Sequence, residues 1–122
     1  MASHPLNLLL RFLLELTTWG AAGAWAFEQV QGLWRWPAAL GASFVLMLCW
    51  GVFAVPDDPS RGGTPVVVIS GARRLTLEVM EFSVGFWAFY GLGYPLGAYV
   101  FALLIVLHHA LSWDRLSWLL ER

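Results

Sequence analysis

The sequence predicts an all-α integral membrane protein, a four-helix bundle with both termini in the cytoplasm. Three observations lead there. Hydrophobic residues make up 59% of the 122-residue chain and charged residues 12%, with a mean hydropathy of +0.66; a water-soluble domain carries roughly 45–50% and about 25%. Four apolar runs each approach the roughly 20 residues that a spanning helix needs. The arginines also gather at alternate connections, as the positive-inside rule requires.

The chain length allows one domain, residues 1–122. The opening "MASHPLN" lacks a basic n-region and a small-residue cleavage site, so the first apolar run reads as a retained helix. That run, about 6–27, is interrupted only by Arg11 and Glu15. "EQVQGLWRW" is a polar turn with Gly32 as breaker and Trp34 and Trp36 as interface anchors. The second span is expected over 37–55, with Pro37 tolerated in the first turn. "PDDPSRGGTP" then forbids helix, and "VVVIS", too short to span, reads as a segment in the interface or packed on the bundle. Residues 56–72 thus form a cytoplasmic loop. The third span is expected over 73–92, the "GLGYP" turn follows, and the fourth runs over 96–113. The tail, 114–122, alternates apolar and charged residues at helical spacing. It either lies on the membrane surface or continues helix four. Arg61, Arg73, Arg74, Arg115 and Arg122 fall on the side of the termini, with Arg35 alone opposite. Both ends are therefore placed in the cytoplasm.

Net charge is −1 and lysine is absent, so no basic surface for nucleic acid is expected. Cys49 is the single cysteine, which rules out an internal disulfide and reads as a small buried apolar residue. His108 and His109 with one cysteine give no metal-ligand spacing. No cofactor is implied.

"RFLLEL" (11–16) and "RLTLEV" (74–79) repeat Arg-x-x-x-Glu at the start of odd-numbered helices, and the same offset carries Trp50 onto Trp113. The pattern suggests two duplicated hairpins. Arg11 and Arg74 are then expected near the cytoplasmic face, with Glu15 and Glu78 about 6 Å deeper. Glu81 is one turn further in, and His108 and His109 lie in the same leaflet. Charges inside a span are costly and face the bundle interior. Arginine ahead of glutamate gives little to its own helix, so one reading is a set of cross-braces, Arg11 with Glu78 and Arg74 with Glu15. The other is a site. Arginines bind an anionic ligand or lipid head group bidentately, and a carboxyl in apolar surroundings loads and releases protons near neutral pH. Three carboxylates face two arginines, so one acid, Glu81 or Glu15, is left over. The histidines either cap helix four or join the glutamates. Trp50, with Trp19 and Trp87, lies deep and reads as packing before it reads as a substrate box. Gly20, Ala24, Gly85, Ala98 and Ala102 permit close helix approach.

"LNLLLRFLLEL", "CWGVFAVP" and "RLTLEVMEF" together resemble the YrdB family of small bacterial membrane proteins, in order and over most of the chain. The resemblance implies four spans in the bacterial cytoplasmic membrane and puts Arg11, Glu15, Trp50, Gly51, Pro56, Glu78 and Glu81 on motif positions. It implies no reaction, because the family has no established molecular function. Small multidrug exporters share the size and a glutamate in helix one, but the arginine beside it and the charge bias here depart from them. The expected function is a membrane protein, dimeric, that binds or moves a small molecule, ion or lipid through the Arg/Glu cluster. The alternatives are a membrane enzyme using Glu15, Glu78 or Glu81 as general acid or base on a lipid-soluble substrate, and an accessory subunit whose cluster is purely structural.

Overall fold

A computed structural model describes residues 2–122. The protein is all-α apart from one short bridge of two strands. Helix α1, Pro5–Gln29, starts with Pro5 in its first turn, and His4 caps it by accepting from the Leu6 amide at 3.2 Å. A single 3-10 turn, Gly32–Trp34, leads into α2, Arg35–Val52. The Arg35 guanidinium sits 3.9 Å above the Phe27 ring and ties the two helices at that end.

Helix α2 stops at Val52, short of the expected 55. Its last carbonyls explain this. Arg74 reaches across from the third helix and donates to the carbonyl of Trp50 at 2.6 Å and to that of Phe53. A cation there favours the negative end of the helix dipole. The released chain becomes strand β1, Phe53–Ala54, which pairs in parallel with β2, Val67–Val68. The apolar "VVVIS" segment therefore serves partly as a strand, in keeping with its β-branched residues.

Helix α3, Gly71–Gly91, begins two residues before the expected 73, because the Ser70 side chain caps it by accepting from the Arg73 amide at 3.3 Å. After Gly93, at φ +90°, α4 runs over Pro95–Leu111. Helix four does not continue into the tail. The chain bends by 72° and forms α5, Trp113–Leu120. Helix α5 packs on α3 with Leu119 fully buried and the Gly71 amide donating to the Arg122 carbonyl at 3.3 Å.

Helix α1 packs chiefly on α2 and α3, and α3 on α1, α4 and α5, whereas α2 and α3 touch little. The apolar core is small: Leu14, Trp50, Phe82 and Phe101. Gly85 lets Phe101 and Thr18 close on α3, where a Cβ would fall within 3.0 Å of both. Burial is inverted relative to a water-soluble bundle. Arg11, Arg74, Arg115, Glu78, Glu81 and His108 are buried, while Leu40, Phe44, Trp87, Leu96, Leu103 and Val106 are exposed. Helix α2 buries Trp50 alone.

By length and composition, one stretch among the described residues, Gly32–Val52, qualifies as a membrane span, and α4 with α5 forms a second if the bent pair counts as one. Helices α1 and α3, which carry the inward charges, do not qualify, which leaves fewer than the four expected spans.

Candidate functional site, a braced charge cluster beside an apolar groove

The charges collect where the N-terminal halves of α1 and α3 meet the 53–70 connection and α5. Glu78, fully buried, is the centre. Its Oε1 accepts from Arg11 Nη2, from Arg74 Nε at 3.3 Å and from Arg115 Nη2 at 2.8 Å; its Oε2 accepts from Arg115 Nη1 at 2.9 Å. Arg115 turns its other edge to Asp58, with Nε and Nη2 at 2.8 and 2.6 Å from the two carboxylate oxygens. One guanidinium thus bridges two carboxylates with forked geometry. Arg11 Nε also lies 3.3 Å from Glu15 Oε1. The guanidiniums of Arg11 and Arg74 lie 5.0 and 4.8 Å from the Trp50 ring, within cation–π range.

The expected Arg11–Glu78 brace is present. The expected partner of Arg74 is not: Arg74 binds Glu78 and the end of α2, and Glu15 is held by Arg11 on its own helix. Sequence reading missed Arg115 and Asp58. Arg115 looked like a tail charge, and Asp58 like a turn residue, which it also is, since Ser60 donates to it from its amide and its hydroxyl at 2.9 and 2.8 Å. The two newcomers add one charge of each sign, so three arginines now face Asp58, Glu15 and Glu78, and one acid is still left over.

That acid is Glu81. Its Oε1 accepts from Trp19 Nε1 at 3.3 Å, and its Oε2, although buried, has no partner. Glu81 lines a groove of about 970 Å³ where α2 and α3 diverge, together with Trp25, Ala42, Cys49, Met80 and Trp87. The two histidines part company. Buried His108 joins Nδ1 to Asn7 Oδ1 at 2.9 Å, and Asn7 donates to Ser112 Oγ at 2.7 Å. His109 bonds through Nδ1 to the Ile105 carbonyl at 2.9 Å and sets its ring against Phe82. Neither hydrogen-bonds a glutamate, and no group of three potential metal ligands exists among the described residues.

Outside the helices α1 to α4, the Asp58–Arg115 pair sets a pH response. Burial pushes the Asp58 carboxyl up, but the hydrogen bonds and charge of Arg115 and the two bonds from Ser60 outweigh it, and the group is held below its ordinary 3.8. Arg115 is held above its ordinary value: burial opposes its charge, and Asp58 and Glu78 overcome that. A carboxyl depressed by folding stabilises the fold above its unfolded value, and that contribution disappears as pH falls through the folded value. Melting temperature in mild detergent should therefore decline as pH drops below about 4, and the decline should be shallower for Asp58→Asn. Parallel acid limbs for the two proteins would refute this.

Residues 9–106 match a family model described as "Protein of unknown function (DUF2568)". Over 116 residues the chain is 37% identical to the uncharacterized protein YrdB of Bacillus subtilis (strain 168), covering 95% of this chain and 94% of that protein. No solved structure matches it. The family match takes in Arg11, Glu15, Trp50, Arg74, Glu78 and Glu81 and stops before His108, His109 and Arg115.

Proposed function

We propose a function on the premise that this chain belongs to the DUF2568 family: it is a multi-span protein of the bacterial cytoplasmic membrane, both termini inside, that takes a small bilayer-soluble molecule sideways into the groove between α2 and α3 and holds it at Glu81.

The inverted burial supports the membrane setting. Water disfavours a surface of large apolar side chains, whereas lipid does not. Helices that turn arginine and glutamate inward and leucine outward suit a solvent of hydrocarbon. The same arrangement accounts for α1 and α3 failing a test of composition alone, since their charges are compensated within the bundle. The arginines near the loop and tail support the orientation.

The cluster around Glu78 fits a brace better than a binding site. Both Glu78 oxygens are occupied, Arg74 is spent on Glu78 and α2, and Arg115 is saturated by two acids. The observation that carries the reading is Glu81: a buried carboxylate oxygen without a partner, in an apolar groove of about 970 Å³. Pockets of roughly 300–1,000 Å³ with few polar groups are the usual form of a small-molecule site.

The test is native mass spectrometry of protein excised from bacterial membranes in polymer nanodiscs, comparing wild type with Ala42→Trp, which fills the groove from α2. A small molecule retained by the wild type and absent from a folded variant is expected. Identical spectra, or release of the protein without any solubiliser, would sink the reading.

A further inference from the structure

The geometry points to the class of ligand: a lipophilic amine, protonated on nitrogen, whose N–H donates to Glu81 Oε2. This rests on the groove reading above and narrows it.

Electroneutrality is the first ground. Arg11, Arg74 and Arg115 are matched by Glu15, Asp58 and Glu78 through direct ion pairs. Glu81 has no cation within ion-pair distance among the described residues; its one hydrogen bond comes from a neutral indole. An uncompensated buried carboxylate is unfavourable until a cation joins it or it takes up a proton. A ligand with one positive charge completes the balance, and an anion would worsen it.

The second ground is the groove lining. It holds no arginine or histidine, and Glu81 is its one carboxylate. No cationic side chain lines the groove to pair with a phosphate or carboxylate. Trp25 and Trp87 place aromatic rings, which attract cations, along the groove.

The third ground is the hydrogen bond. Oε2 is an acceptor without a donor. A quaternary ammonium would neutralise the charge and still leave that acceptor unbonded, whereas an amine satisfies both. Glu81 is only 3% exposed and its Oε2 is buried, so the carboxylate must turn toward the groove to meet the ligand nitrogen, and the hydrogen bond replaces the one that nitrogen loses on leaving water.

The experiment uses the full chain in lipid nanodiscs and three probes with one body: a dansyl alkylamine, its trimethylammonium derivative and the corresponding alcohol. Energy transfer from tryptophan to dansyl reads binding. The wild type should prefer the amine to the alcohol by about tenfold, as for one charge-assisted hydrogen bond, with the quaternary compound between them. Glu81→Gln should erase the preference, the amine losing more affinity than the alcohol. Glu81→Asp should keep a preference for the amine, which separates loss of charge from loss of fold. Ala42→Trp should weaken all three. If the alcohol binds the wild type as well as the amine does, and Ala42→Trp weakens both, the amine proposal falls and the groove reading stands. If Ala42→Trp changes nothing, both fall.

Discussion

Glu78→Leu is expected to unfold the end of the protein where α1, α3 and α5 meet. Leucine fits the space but removes the one carboxylate shared by three guanidiniums. Arg11, Arg74 and Arg115 would then face each other in the interior with Glu15 and Asp58 as the acids left in ion-pair contact. Arginine does not escape by losing its proton. Breaking one buried ion pair by removing a partner typically costs about 3–5 kcal/mol, and here one side chain serves three partners through four hydrogen bonds. Glu78→Gln keeps the shape and one carbonyl acceptor, so its loss should be smaller. Thermal unfolding in detergent, followed by tryptophan fluorescence, ranks the three proteins. If Glu78→Leu melts with the wild type, the cluster is not the brace described here.

Gly71→Ala should be nearly as damaging, through contact alone. A Cβ at position 71 would lie 1.6 Å from the Leu119 carbonyl oxygen and 2.5 Å from its carbon. These are backbone atoms of α5, so no side chain can rotate aside. Alanine is the better helix former by up to about 1 kcal/mol. That gain is outweighed, since overpacking commonly costs about 1–3 kcal/mol, and relieving this contact means pushing α5 off α3. Because Arg115 sits on α5, the shift would also pull its guanidinium from Asp58 and Glu78. Limited proteolysis should cut between Leu111 and Trp113 in Gly71→Ala and spare the wild type. Equal resistance, or a higher melting point for alanine, would contradict the packing.

The helices were legible because apolar runs and turn residues are local signals. Gly32, the proline-rich loop and Pro95 mark their ends. What was not legible depends on distant partners. Helix α2 ends early because Arg74, on another helix, takes its last carbonyls. The bend at Ser112 precedes a segment whose periodicity suited two placements, and the choice follows from Gly71 admitting Leu119. Asp58 and Arg115 carry no mark that separates a buried pair from two solvated charges. The repeat is met only in part. Arg11–Glu15 and Arg74–Glu78 both form at 3.3 Å, yet Trp50 is 8% exposed and Trp113 69%, so the matching tryptophans occupy unlike surroundings. The Arg-before-Glu order, unfavourable along a helix, is tolerated because Glu78 answers to its neighbours on α1 and α5.

The position of Arg115 also bears on biosynthesis. The ribosome makes this residue after every group it binds. A nascent chain that has emerged only as far as Leu111 can already hold α1 against α2 and Arg11 against Glu78, but Asp58 still lacks its cation. The loop is fastened, and Asp58 gains its cation, only when α5 arrives. The keystone is laid last, and a chain cut short before it would leave Asp58 buried without its partner.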